Sequence, residues 1–272
     1  MKCLLCGSKR NKFKFVYMGR DIYLEKLGRN DFRLRWYECG NCGVYFSEQY
    51  GKIEGVYDDN DMYDAQYDRE GIKARYHEIM GLNEDESDNA LRVRRVKAFF
   101  LRYRAETGRI RERYQILDVG AGLGVFVAKI ADDMFSPDAL EMNSVATNHI
   151  REELGFPVFN IPVQEFEAEK AYDLITMNKV IEHIKKPVPV LKSIKRILGK
   201  DGIIYLELPD TRSCEFHGHA SGAFASGHYM VYNPASIFYL LGKAGFEILS
   251  MDRIQEPSGK LSIYSFAGVR CS

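Results

Sequence analysis

The chain has 272 residues, 46% of them hydrophobic, and its 38 basic and 38 acidic side chains cancel to zero net charge. That length holds one large α/β domain plus something small. It has no apolar run near the roughly 18 residues of a membrane span and no signal-peptide apolar region in MKCLLCGSKR, so a soluble, cytoplasmic protein is expected. The charge is uneven: +6 over residues 1–52, −9 over 53–90, +7 over 91–113 and −4 over the remainder. Alternating blocks of this kind predict segments that pack on one another rather than one continuous phosphate-binding face.

Two CxxC pairs open the chain, Cys3-Leu-Leu-Cys6-Gly7 and Cys39-Gly40-Asn41-Cys42-Gly43. Each tight turn supplies two thiolates, and the following glycine frees the backbone to point amides at sulfur. This is the pattern of a tetrahedral, structural zinc site with Cys3, Cys6, Cys39 and Cys42 as ligands. Strand formers between the pairs (Phe13 to Met18, Ile22 to Leu27, Phe32 to Tyr37) predict a hairpin. Cys214 and Cys271 remain as packing residues or free thiols. The module is expected to span residues 1–51.

Residues 52–113 read as a connector. An acidic, tyrosine-rich arm runs from Asp58 to Gly71, and Ile72 to Met80 has helical character. From Asn89 to Tyr103, Val93, Val96, Phe99 or Phe100 and Tyr103 recur at helical spacing. An amphipathic helix lying against the sheet is predicted, with its arginines solvated or paired with the acidic arm.

The stretch ILDVGAGLGVF (Ile116 to Phe126) is an apolar strand ending in Asp118, then Gly120, Gly122 and Gly124, then a helix. Such a strand–turn–helix opens a doubly wound nucleotide-binding domain. The dinucleotide fingerprint would need glycine at 125, where Val125 stands. A carboxylate before the turn repels a diphosphate and suits a ligand with an ammonium group, such as S-adenosylmethionine (SAM). Glu141 ends the next apolar segment, where an acid should accept hydrogen bonds from ribose hydroxyls. Downstream, strands at Gln115–Val119, Ala139–Glu141, Val158–Phe159, Leu174–Met177 and Ile203–Leu208 alternate with helices at Val125–Asp132, Ser144–Leu154 and Val188–Leu198, so a parallel sheet is expected. After an irregular stretch come a helix at Pro234–Ala244 and two strands, Phe246–Asp252 and Leu261–Val269, expected to pair antiparallel.

These residues resemble the class I SAM-dependent methyltransferases over roughly Tyr114 to Val269. The likeness is carried by ILDVGAGLGVF, by Tyr172 to Asp210 with its Glu182-His183 pair and Leu198-Gly-Lys-Asp-Gly202 turn, and by the helix–AGF–strand close. The N-terminal WYECGNCGVYF is similar to methyltransferases with a zinc module, many acting in sugar, glycan or natural-product biosynthesis; the sugar C-methyltransferases are an example. The resemblance implies an α/β, doubly wound, seven-stranded, mostly parallel sheet in the order 3-2-1-4-5-7-6, with a small zinc-ribbon-like β module at the N-terminus and the catalytic domain at 114–272. It implies that Asp118, Gly120 and Gly122 line the methionine end of SAM, that Glu141 holds the ribose and that Met142 covers the adenine. Gln164 would lie near the adenine amine, and Asn178 under the sulfonium.

Methyl transfer from a sulfonium is an in-line displacement in which alignment does most of the work. A base is needed only for a hydroxyl or an acidic carbon. Candidates fall in Thr211 to Asn233, with His217, His219, His228, Tyr229 and Tyr232. His228, with Tyr229 beside it, is the expected base or acceptor-binding group, whereas His183 is assigned to packing and Cys214, His217 and His219 lack a fourth ligand for a metal site. The expected acceptor is a small molecule, a sugar or glycan precursor, and nucleic acid is not the expected partner. An RNA methyltransferase gripping phosphates through the +6 module, and a non-catalytic SAM-fold binding protein, are the alternatives.

Overall fold

The computed structural model describes residues 1–19, 33–50 and 69–270. The predicted strand at Ile22–Leu27, the acidic arm up to residue 68 and Cys271 lie outside them. Two sheets organise the chain. The first is antiparallel: β1 (Asn11–Val16), β2 (Arg33–Cys39) and β3 (Tyr45–Tyr50) form a meander. The second has seven strands: β4 (Tyr114–Val119), β5 (Phe135–Leu140), β6 (Val158–Phe159), β7 (Tyr172–Asn178), β8 (Leu198–Pro209), β10 (Phe246–Gln255) and β11 (Leu261–Val269). Their spatial order is β10-β11-β8-β7-β4-β5-β6. β11 alone runs against the direction of the other six. Counted in the sheet's own sequence this is 3-2-1-4-5-7-6, the order that the resemblance implies.

Strand alternation sends odd and even positions to opposite faces. Leu117 and Val119 of β4, with Ile204, Leu206 and Leu208 of β8, pack beneath α5 (Pro187–Ile197) and α7 (Pro234–Ala244). Tyr114 and Ile116, with Ile203 and Tyr205, pack beneath α2 (Asp88–Glu106) and α3 (Val125–Ile130). On α2 the buried residues Val93, Val96 and Phe100 recur at helical spacing. Each such buried side chain contributes about 1.5–3 kcal/mol. The remaining helices are α1 (Arg69–Met80), α4 (Ser144–Asn148, continued by a wider turn to Glu153) and α6 (Ser213–His217).

Two local departures from the sequence reading have physical causes. Strand β5 begins at Phe135, four residues earlier than predicted, and carries Pro137 in its interior. The proline's missing N–H costs no ladder bond, because β6 pairs only with Ala139 and Leu140. Of the five arginines of α2, Arg94 and Arg102 lie on the solvated face, as expected, and three do not. Arg92, Arg95 and Arg104 turn inward to Glu207, Glu256 and Asp173. Parallel-sheet carboxylates buried under a helix need cationic partners, and α2 is the nearest source.

Candidate active site and metal centre

The first CxxC turn precedes β1, and the second joins β2 to β3. They bring the four Sγ atoms within 4.8 Å of one another. Cys3 and Cys42 sulfurs stand 3.8 Å apart, and those of Cys6 and Cys39 3.5 Å. Disulfide sulfurs would be about 2.05 Å apart. A tetrahedron with metal–sulfur bonds of about 2.3 Å has edges of about 3.8 Å. The donor set and spacing therefore fit a tetrahedral ion. The Asn41 amide donates to the Cys39 sulfur at 3.4 Å, and Gly7 and Gly43 hold positive φ at the two knuckle ends. Among the thiols, the hydrogen bond from Cys42 holds Cys3 down at about 5 and leaves Cys42 well above the ordinary thiol range. The module is fused to the larger core: Cys3, Cys39, Cys42, Val44 and Phe46 share a cluster with Tyr232 and Ile237. The Asn233 side chain, which caps α7, donates to the Gly43 carbonyl at 2.9 Å.

At the carboxyl edge of the large sheet, Asp118 is 2% exposed. Its Oδ1 accepts from Thr176 Oγ1 at 2.6 Å and from Asn178 Nδ2 at 2.9 Å. Burial is the largest influence and pushes Asp118 up to about 7, against the Thr176 bond and the charge of Arg92. The Asn178 Oδ1 is buried without a hydrogen-bond partner, an acceptor left unsatisfied within the protein. Gly120 has φ +72°, and a Cβ there would stand 2.6 Å from Val180 Cγ2. The Gly122 amide donates to Glu141 Oε2 at 2.7 Å and the Asn143 amide to Oε1 at 2.8 Å. Glu141 is thus fixed in place with lone pairs still available to hydroxyls, and burial lifts it above the usual carboxylate range despite these bonds. Next to it Met142 projects, 54% exposed. Asn160 steadies this tip by donating to the carbonyls of Glu141 and Met142 at 2.8 and 2.7 Å. Gln164 is exposed in the turn after β6, its carbonyl accepting from Arg196, and stands apart from this hydrogen-bonded group.

The stretch after β8 is ordered by the N-terminal module. Within it β9 (Met230–Val231) pairs with β3 as the fourth strand of the small sheet. The Trp36 indole donates to the Phe224 carbonyl at 3.1 Å, and Phe224 is ringed by Phe15, Trp36 and Tyr45. His228 is placed opposite His183, their rings 4.7 Å apart at 71°. The Tyr229 amide donates to the Glu182 carbonyl at 2.8 Å. His217 and His219 go elsewhere, to the Gly259 carbonyl and the Phe15 ring. Tyr232 is fully buried with its hydroxyl toward Met230 sulfur.

A family model described as a methyltransferase domain matches residues 86–251, more than half of the chain. The chain belongs to the methyltransferase family. No curated protein matches the sequence. Among solved structures, the methyltransferase is similar to the Burkholderia thailandensis 1,6-didemethyltoxoflavin-N1-methyltransferase with bound substrate and S-adenosylhomocysteine. That likeness has 17% identity and a TM-score of 0.52, over 84% of this chain and 96% of that one. The glycopeptide N-methyltransferase MtfA with sinefungin matches at 13% identity and TM-score 0.50, over 63% and 85%. A SAM-dependent methyltransferase from Methanosarcina mazei matches at 16% and 0.50, over 62% and 98%. At these identities the likeness establishes the shared fold.

Two residues bonded to these candidates were not singled out in the sequence reading. Thr176 is legible in retrospect as the polar interruption of DLITM, in register with Asp118 across the parallel ladder. Asn160 gave no signal, since an asparagine after a two-residue strand reads as a turn. His183, assigned to packing, has its ring against His228 and Nδ1 3.0 Å from the Gly227 carbonyl.

Proposed function

We propose that this methyltransferase moves the methyl group of SAM to a small-molecule acceptor of the sugar or glycan-precursor class. The observation that carries this reading is the acceptor-side loop. Residues 211–233 fold over the carboxyl edge of the sheet, where ligands of open α/β folds bind. They are held there by the N-terminal module through β9 and Ser47.

In this reading the SAM ammonium is received by Asp118 and by the unpartnered Asn178 oxygen, Glu141 takes the ribose hydroxyls, and Met142 lies over the adenine. Gly120 and Gly122 let the backbone approach the methionine portion, and Gln164 flanks the adenine edge. His228, whose ring is oriented by the Ala223 carbonyl 2.8 Å from Nδ1, turns Nε2 to the acceptor, with Tyr229 beside it. The four thiolates of Cys3, Cys6, Cys39 and Cys42 hold a zinc ion whose role is structural, since no coordination position is left for chemistry. Two of the structural neighbours are named as N-methyltransferases of small molecules or glycopeptides, which supports a compact acceptor and adds amines to those worth testing.

The test is a screen of nucleotide sugars, glycan precursors and amino sugars with methyl-labelled SAM. The expected outcome is labelled product from at least one of these acceptors. His228→Ala should lose turnover while S-adenosylhomocysteine binding by calorimetry is unchanged. Absence of cofactor binding by the wild-type protein would refute the reading.

A further inference from the structure

A second cluster of ligating atoms lies at the acceptor edge and involves none of the four cysteines. Glu182 and His183 occupy the short 3₁₀ turn after β7 (Ile181–His183), and His228 enters from the loop tethered to β3. One donor atom from each of the three lies within 4.8 Å of the others.

The hydrogen bonds around the two imidazoles decide their tautomers. His183 Nδ1 faces the Gly227 carbonyl at 3.0 Å, and His228 Nδ1 faces the Ala223 carbonyl at 2.8 Å. A ring nitrogen set against a carbonyl carries the hydrogen, so in both rings Nε2 keeps the lone pair. Backbone carbonyls on the far nitrogens are the usual supports of metal-binding histidines, fixing both orientation and tautomer. Glu182 is fully buried, and neither of its carboxylate oxygens has a hydrogen-bond partner. A buried carboxylate with two unsatisfied oxygens calls for an explanation. A cation held between it and the two imidazoles would satisfy the Glu182 oxygens.

We propose that Glu182, His183 and His228 form a divalent transition-metal site of the two-histidine, one-carboxylate kind. That ligand set suits zinc, iron or nickel and leaves coordination positions open. The open positions would receive oxygen or nitrogen atoms of the acceptor, so a bidentate acceptor such as a vicinal diol or amino alcohol is the class it fits. This rests on the acceptor-side reading above and sharpens it: His228 acts by holding the ion that positions the acceptor, and not by taking a proton itself.

Metal content settles the matter without any acceptor or SAM. The full-length protein, its cysteine site filled, is equilibrated with micromolar zinc and its bound metal is counted. Two equivalents are expected for the wild type. Glu182→Gln, His183→Asn and His228→Asn are each expected to retain one, with zinc affinity at the second site weakened at least tenfold. Calorimetric binding of S-adenosylhomocysteine by each variant certifies its fold. A wild-type protein that binds a single equivalent, or variants that still bind two, would overturn the proposal. Either result would leave SAM binding, and so the methyltransferase reading, intact.

Discussion

The Ser47 hydroxyl donates to the His228 carbonyl at 3.0 Å, and the Ser47 amide donates to the Tyr229 carbonyl at the same distance. One residue of the cysteine module thus grips the backbone of both acceptor-side candidates. The module is in effect the scaffold of the loop at 211–233, as the pairing of Phe46 with Met230 also requires.

If the module shapes the loop, loosening it should damage turnover before it damages cofactor binding. Cys42→Ser removes one of the four thiolates. It is expected to expose residues 217–229 to limited proteolysis and to lower kcat/KM at least tenfold. Dissociation of S-adenosylhomocysteine should stay within about twofold, since Asp118 and Glu141 belong to the other sheet. Equal loss of both would show that the module supports the whole domain.

The buried Asp118 gives a pH dependence whose sign can be worked out. Its folded value of about 7 is raised above the unfolded carboxylate value, so the folded state binds the extra proton between about pH 4 and 7. Its contribution to stability is therefore favourable at low pH and fades as pH rises to 7. SAM binding should follow the opposite course, because the ammonium prefers the ionised carboxylate. The groups acting on Asp118 are Arg92 from α2, which lowers it, and Glu141 from the tip of β5, which raises it. SAM affinity is expected to rise up to about tenfold per pH unit between 5 and 7, a slope derived from one-proton linkage. Asp118→Asn should bind weakly and without that slope, as calorimetry across the range would reveal.

At Gly120 the constraint is steric on two counts: a left-handed φ and a Val180 methyl 2.6 Å from the missing Cβ. Gly120→Ala should cost roughly 2–4 kcal/mol, from the φ penalty and overpacking together. Urea unfolding measures it. Adding Val180→Ala should recover the packing part and leave the φ part, so complete recovery would contradict the assignment.

Much of this was legible in the chain because it is local. Asp118, the glycines and Glu141 lie on or just beyond two neighbouring parallel strands, and the cysteine pairs announce themselves by spacing. The parallel sheet followed from the alternation of strands and helices, and its order from the family resemblance. What stayed hidden is non-local. Nothing in Tyr45-Phe46 says that it will pair with Met230-Val231, a strand too short to show any period. Arg92, Arg95 and Arg104 of α2 were misjudged for a related reason. Their carboxylate partners Glu207 and Asp173 stand inside apolar strand segments, where a lone acid reads as an exception rather than as half of a buried pair.

That buried pairing also affects the cofactor edge. Arg92, from α2, donates to Glu207 Oε1 and, at 3.2 Å, to Glu256. Arg95 reaches Glu207 at 2.9 Å, and Lys179, just past Asn178 with φ +59°, reaches Glu256 at 2.9 Å. Burial alone would raise Glu207, but Arg92 and Lys179 hold it well below the usual carboxylate range. Removing one member leaves a buried charge uncompensated, at a cost of roughly 3–5 kcal/mol. Arg92→Met should therefore lower the urea midpoint strongly, and Glu207→Gln should do so as well. The double variant should lose less than the two added together, by roughly 0.5–3 kcal/mol. Because Arg92 also helps keep Asp118 ionised, Arg92→Met should move the rise in SAM affinity to higher pH. An unchanged pH profile in a folded Arg92→Met protein would confine this network to stability alone.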